Sequence, residues 1–281
     1  MKLLSFRYRE TEYWGVKYEE GIYYSDQLMT HFPTLLSVIE NYDHLNLKKD
    51  LNKFVESESI EILPPIYPKK NIMCIGKNYK AHAYEMTTHN PDSVPEYPVV
   101  FTKSPNSIIA HEKNIMAHAN FTSQLDYEGE LAVVIGKLGK DIKREEAQDY
   151  IFGYTILNDV TARDLQKKHQ QFYRGKSLDT FAPLGPYIMT KDHIEDPQNL
   201  KVQTYVNDEL RQNGNTKEMI FPIDELIEAL SEGTTLEPGD IIATGTPSGV
   251  GKGFNPPKFL KSGDTIKISI EGIGELVNQV K

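Results

Sequence analysis

The chain has 281 residues, 39% of them hydrophobic and 25% charged, with a formal charge of −9. This length allows one large domain or two modest ones on a prior of about 150 residues each, with a core that buries roughly three quarters of the unfolded surface. The acidic balance argues against general nucleic-acid binding, which relies on basic surface, but admits small anionic substrates, because a local cation overrides net charge.

The one cysteine, Cys74, rules out an internal disulfide and a cysteine-based zinc site. The N-terminal stretch lacks the apolar region of a signal peptide, and no run approaches the ~20 apolar residues of a membrane span, so the expectation is a cytoplasmic protein without a membrane partner.

Residues 1–62 read as a first unit. Short strands are expected at 3–9, 13–18 and 21–24, followed by short helices at 33–42 and 47–57. Pro33 suits a helix first turn, where its missing N–H does no harm. Leu63-Pro64-Pro65-Ile66-Tyr67-Pro68 is extended and helix-breaking, and marks the boundary with a second unit, 63–281. There strands are predicted at 72–76, 98–102, 107–110, 130–135, 150–158, 185–189, 201–206, 241–244, 265–270 and 274–280. Helices are predicted at 144–149, 161–168 and 223–232. Asn207-Asp208-Glu209 and Glu237-Pro238-Gly239-Asp240 read as turns, the first of a hairpin. Strands and helices do not alternate regularly, which argues against a doubly wound or barrel α/β fold. The expected class is α+β, mainly β. Internal repeats and low-complexity tracts are absent.

The most informative stretch is Asp126-Tyr127-Glu128-Gly129-Glu130-Leu131-Ala132-Val133-Val134-Ile135-Gly136. Glu128 and Glu130 head an apolar run of strand composition, so both point the same way with Cα atoms roughly 6.6 Å apart. Two half-buried like charges repel, and a cation is their natural partner. Asp159 ends another apolar run, and three hard oxygen ligands on strands suit Mg²⁺ or Mn²⁺ with positions open for substrate. Taken alone, Glu-x-Glu also fits an exposed strand edge with solvated acids.

His82 and Glu85 lie three apart after a strand and share a face on one helical turn. A carboxylate beside an imidazole raises its basicity and fixes its tautomer, as a general base requires, although an incidental surface pair has the same spacing. The polar stretch at 87–97 is suited to a lid over substrate. Arg163 and Gln166 share a helical face, and Arg163 either holds Asp159 or another carboxylate, or is solvated. Asp164 suits the helix dipole. Lys176, in a loop rich in Gly and Pro, is placed to face a bound anion, or is an ordinary surface lysine.

The loop Ala243-Thr244-Gly245-Thr246-Pro247-Ser248-Gly249-Val250-Gly251-Lys252-Gly253-Phe254 lets backbone N–H groups approach a carboxylate or phosphate, or is a tight structural turn. It matches neither a Walker loop nor a dinucleotide fingerprint. His111 and His118 receive no role, and Trp14 is assigned to the core of the first unit.

In this order the segments resemble the fumarylacetoacetate hydrolase family. The resemblance rests on Leu63-Pro64-Pro65, Ile75-Gly76-Lys77-Asn78-Tyr79, Phe101-Thr102-Lys103-Ser104-Pro105, Asp126 to Leu131, Gly153-Tyr154 with Asn158-Asp159-Val160-Thr161-Ala162-Arg163-Asp164, Gly175-Lys176-Ser177, and Thr244 to Gly251. It covers about residues 63–281. It implies a mixed β-sandwich roll with a small N-terminal α+β domain, usually as a homodimer.

The resemblance further implies Mg²⁺ or Mn²⁺ on Glu128, Glu130 and Asp159, and a water-activating His82–Glu85 dyad. Lys176 would assist at the substrate oxygen, Gln166 would line the pocket, and Gly245 and Thr246 would sit in the loop that meets the substrate carboxylate beside Arg163. The implied activity is hydrolysis of a C–C bond in a 2,4-dioxo acid of the acylpyruvate or fumarylacetoacetate type, through a metal-bound enolate. Decarboxylation of oxaloacetate-like acids, and isomerisation or decarboxylation of 2-hydroxyhepta-2,4-diene-1,7-dioate, use the same enolate chemistry and are the alternatives.

Overall fold

The computed structural model describes residues 1–87 and 94–281. Its strands are, in chain order, β1 (Lys2–Tyr8), β2 (Thr11–Lys17), β3 (Ile22–Tyr24), β4 (Lys53–Val55), β5 (Glu61–Leu63), β6 (Ile72–Gly76), β7 (Val99–Lys103), β8 (Ile108–Ile109), β9 (Asn114–Ile115) and β10 (Leu125–Asp126). There follow β11 (Gly129–Ile135), β12 (Ile151–Asn158), β13 (Thr161–Ala162), β14 (Ala182–Thr190), β15 (Lys201–Val206), β16 (Glu209–Asn215), β17 (Ile241–Ala243), β18 (Thr265–Ile270) and β19 (Gly274–Val280). The helices are short: α1 (Asp26–His31), α2 (Leu35–Glu40), α3 (Leu47–Asp50), α4 (Lys80–Glu85), α5 (Ala147–Tyr150), α6 (Arg163–Lys168), α7 (Tyr173–Lys176) and α8 (Ile223–Ser231). Among the described residues no helix is long and apolar enough to cross a membrane.

Among these residues twelve strands form one mixed sheet, ordered β4-β3-β2-β1-β14-β12-β11-β17-β6-β7, with β5 on β1 and β8 on β14. A second sheet of five strands runs β16-β15-β18-β19-β9, and β10 pairs with β13. The middle of the large sheet, β11, β12 and β14, packs on β15, β18 and β19, which makes the expected α+β sandwich. Side chains alternate across β11. Leu131, Val133 and Ile135 enter the core between the sheets with Val202 and Ile268, while Ala132 and Val134 enter a second core with Leu3, Trp14, Leu35 and Val38. Burial on both faces explains why β11 reads as an unbroken apolar run.

Several local expectations are revised. The helix at 47–57 stops at Asp50, and Lys53–Val55 adds a strand to the sheet edge through Ile22↔Val55 and Tyr24↔Lys53, which satisfies backbone groups that a short helix would leave open. Pro33 lies just outside α2, whose N-cap is Thr34 in a reciprocal capping box with Ser37. Thr161 and Ala162 pair with β10, so α6 begins only at Arg163. Asn207 and Asp208, with φ of 50° and 66°, form the two-residue hairpin turn between β15 and β16. The ladder also crosses the boundary drawn at 62/63, because β1 pairs with β14 through Lys2↔Met189 and Leu3↔Ile188.

The topology brings one set of strand ends together. β11 runs antiparallel to both β12 and β17, and β17 runs parallel to β6. The start of β11 therefore lies beside the ends of its neighbours: Glu128 and Glu130, Asn158 and Asp159, the loop after Ala243, and Gly76 to Asn78.

Close approach of the two sheets is required at the first residue of β11. A Cβ on Gly129 would stand 2.3 Å from Thr204 Oγ1 and 3.1 Å from Ile268 Cγ2. Gly129→Ala is expected to lose about 1–3 kcal/mol in a denaturant melt through overpacking. An unchanged midpoint would show that the sheets separate here without cost.

Candidate active site

Strand pairing sets the acids. The Asp159 N–H donates to Glu128 O at 2.9 Å, and the Glu128 N–H donates to Asn158 Oδ1 at 3.2 Å, so Glu128 sits across from Asp159. Glu128, Glu130 and Asp159 each offer an oxygen within 4.8 Å of the other two, and all three are buried.

Three cations surround them. Lys176 Nζ donates to Glu128 Oε2 at 2.6 Å and to Asp159 Oδ2 at 2.7 Å. Lys103, also fully buried, donates to Asp159 Oδ1 at 2.7 Å, to Val160 O at 3.1 Å and to the Lys176 carbonyl. Arg163 Nη2 stands 2.6 Å from Glu128 Oε1, and its Nε donates to Asp126 Oδ2 at 2.8 Å.

The charges do not balance. Asp126, Glu128, Glu130 and Asp159 outnumber Lys103, Arg163 and Lys176 by one. Burial opposes ionisation of Glu128, but Lys176 and Arg163 outweigh it and hold its carboxyl well below the usual range. Glu130 has the opposite fate. Burial pushes it well above the usual range, Asp159 and Glu128 add repulsion, and Lys176 and the Gly245 N–H, 3.0 Å from Oε2, oppose this only in part. Among the described residues Glu130 forms no ion pair. A buried carboxylate left without a counter-charge, beside two others with oxygens in reach, fits a divalent cation.

The second element is α4. His82 Nδ1 lies 2.7 Å from Glu85 Oε1, and the Gly249 N–H donates to both Glu85 oxygens, at 2.9 and 3.2 Å. Held this way, Nδ1 carries the hydrogen and Nε2 is left as the acceptor. His82 is 5% exposed and lines a cavity of about 250 Å³ together with Glu128, Glu130, Arg163, Gln166, Lys176 and Thr246. Lys77, Lys167 and Lys252 also line it and form no ion pair among the described residues, so apart from Glu128 and Glu130 the charged lining is cationic.

Other predicted site residues occupy the same region with their polar groups engaged. Gln166 accepts from Arg163 Nη1 at 3.3 Å. The Gly245 N–H is given to Glu130, and the Thr246 hydroxyl donates to Gly129 O at 2.9 Å while accepting from Gln212 at 2.7 Å. Arg163 is buried and holds Asp126 and Glu128, not Asp159. Of the expected lid, residues 88–93 lie outside the described residues; Met86 and Thr87, at one end of it, line the cavity.

Sequence reasoning gave no role to Lys103, Asp126, Asn78 or Gln212. The signal for Lys103 was its place in Phe101-Thr102-Lys103-Ser104-Pro105, a segment of the family resemblance to which no residue role was attached. Asn78 ties three segments, donating to Thr244 O at 2.7 Å and to Phe221 O at 3.0 Å and accepting from the Phe221 N–H at 2.8 Å.

Two outcomes are expected of this cluster. Lys103→Met removes one partner of a buried pair and should cost about 3–5 kcal/mol in a denaturant melt. Mn²⁺ at 100 times its Kd should stabilise the intact chain by about 2.7 kcal/mol, and Glu130→Gln should abolish that gain. A gain retained in Glu130→Gln would remove Glu130 from the ligand set.

A family profile described as fumarylacetoacetate (FAA) hydrolase C-terminal matches residues 71–281. Oxaloacetate tautomerase YisK of Bacillus subtilis is 59% identical over 233 residues, covering 82% of this chain and 77% of the relative. The solved fumarylacetoacetate hydrolase of psychrophilic Exiguobacterium antarcticum is 45% identical, covering 100% of this chain and 99% of that one, with a TM-score of 0.89. A maleylpyruvate hydrolase of Sphingobium sp. SYK-6, solved with manganese(II) and pyruvate, is 28% identical, covering 100% of this chain and 98% of that one, with a TM-score of 0.80. With the profile spanning most of the chain and the fold shared from end to end, this protein belongs to the fumarylacetoacetate hydrolase family of enzymes.

Proposed function

We propose that this enzyme interconverts the keto and enol forms of a short 2-oxo dicarboxylic acid of the oxaloacetate type, with Mg²⁺ or Mn²⁺ on Glu128, Glu130 and Asp159. The observation that carries this reading is the His82–Glu85 pair, whose imidazole lines the same cavity as Glu128 and Glu130. The 59% identity to an oxaloacetate tautomerase supports it.

When bound, the metal supplies positive charge at the 2-oxo and carboxylate oxygens. His82 Nε2 takes the proton from C3, the electrons of the C3–H bond form the C2=C3 bond, and the C2=O π electrons move onto the oxygen, which takes a proton from solvent water while the imidazolium returns its own proton to solvent; the reverse sequence restores the ketone. Glu85 fixes the tautomer and stabilises the imidazolium. Lys176 spends two of its three N–H groups on Glu128 and Asp159, and the third is available to a substrate oxygen. Lys77, Lys167 and Lys252 draw a dianion into the cavity of a protein whose formal charge is −9.

Hydrolysis of a 2,4-dioxo acid is the second reading. It uses the same pair to deprotonate water, and the likeness to a maleylpyruvate hydrolase favours it.

Enol-oxaloacetate decay, followed by ultraviolet absorbance, and acetylpyruvate cleavage are to be measured in parallel with Mg²⁺ or Mn²⁺. Enol decay is expected to accelerate over buffer, to stop with chelator, and to fall about 10²–10⁴-fold in His82→Ala. Cleavage of acetylpyruvate with enol decay at the buffer rate would make the enzyme a hydrolase. Turnover of neither would overturn both readings.

A further inference from the structure

We infer that Asp126 is a positioning residue that links the acid cluster to the His82–Glu85 pair; the inference rests on the role proposed for that pair. Asp126 closes β10 and is fully buried, and it does not line the cavity. Its carboxylate accepts four donors. Oδ1 takes the N–H groups of Gly251 at 2.6 Å and Tyr127 at 3.0 Å, and Oδ2 takes the Lys252 N–H at 3.0 Å and Arg163 Nε at 2.8 Å.

Both sides of this knot reach the chemistry. Arg163 continues to Glu128 at 2.6 Å. Gly251 and Lys252 belong to the short turn that follows Gly249, and the Gly249 N–H holds Glu85. Tyr127 clasps the same loop from its other end, its hydroxyl donating to Gly249 O at 2.8 Å. The loop is seated without slack. Gly249 has φ of 103° and a Cβ there would stand 1.9 Å from Arg211 O, while a Cβ on Gly253 would stand 2.3 Å from Glu85 Oε2.

Three consecutive residues, Asp126, Tyr127 and Glu128, thus set the loop that holds the base and also provide one of the acids. The segments they join are far apart in the chain: Gly251 lies 125 residues from Asp126. Asp126→Asn cannot preserve the arrangement. Each carboxylate oxygen accepts two donors, so an amide nitrogen at either position faces two donors with nothing to offer them.

The test is a double-mutant cycle in the Mn²⁺-loaded enzyme with enol-oxaloacetate. Asp126→Asn is expected to lower kcat about tenfold to a hundredfold, because a base displaced by about 1 Å loses that much, with KM and Mn²⁺ affinity changed less than about threefold. In a Glu85→Gln background the same substitution should cost less than about threefold more. Multiplicative losses, or a kcat loss that follows lost Mn²⁺ affinity, would overturn the inference.

If Asp126→Asn does not fold, Gly253→Ala presses the same loop on Glu85 without altering a charge. It should show the same non-additivity with Glu85→Gln, and multiplicative losses there would equally overturn the inference. A second readout needs no turnover. The proton NMR signal of the His82 Nδ1–H should shift or vanish in Asp126→Asn, and a signal unchanged from the intact chain would sink the link. If the intact enzyme turns over neither substrate, the proposed function fails, and the NMR comparison still decides the positioning role.

Discussion

A surplus of buried negative charge organises this structure. Four carboxylates and three cationic side chains share one end of the large sheet, and the uncompensated charge falls on Glu130. Two lysines and an arginine are drawn into an interior that ordinarily excludes them, each held by two or more acceptors or ion-pair partners. The cost of burying these charges has to be met by their mutual attraction and by full hydrogen bonding. Such a cluster is poor value as a stabilising device and makes sense as a preformed seat for a cation.

The sheet makes that seat possible. Only because β11 is antiparallel to both neighbours does its first turn of chain meet the ends of β12 and β17. Burial of β11 on both faces then fixes its register, since a slip of one residue would turn Glu130 into the core between the sheets. Gly129 admits the second sheet at the same point. The apolar core and the acid cluster therefore constrain each other: packing chooses which face the glutamates take, and the glutamates mark where the apolar run must end.

This interplay explains what was legible in the sequence. Glu128, Glu130 and Asp159 were readable because their signal is local, a polar residue at the head or tail of an apolar run. The hairpin at Asn207-Asp208 was readable for the same reason. Lys53–Val55 was misread as helix because its strand pairing depends on Ile22–Tyr24, a partner that composition alone does not reveal. Lys103 and Asp126 stayed without a role because their meaning lies in partners distant along the chain: 56 residues from Lys103 to Asp159, and 125 from Asp126 to Gly251. The glycine loop at 243–254 was read as either an anion cradle or a structural turn. Four of its N–H groups, those of Gly245, Gly249, Gly251 and Lys252, are given to carboxylates of the protein itself, Glu130, Glu85 and Asp126.

The same geometry bears on the choice between the two reactions. A general base serves either tautomerisation or hydrolysis, and what differs is the group that stands opposite Nε2. For hydrolysis a water must share the cavity with a substrate long enough to carry a second carbonyl. For tautomerisation the base needs only to face C3 of a four-carbon acid. Phe101, Phe172 and Met86 line the apolar side of the cavity that His82, Glu128 and Glu130 also line. On the proposed reading, removing bulk from that wall would favour longer acids, and the apolar side chains are where a difference between the two reactions is to be sought.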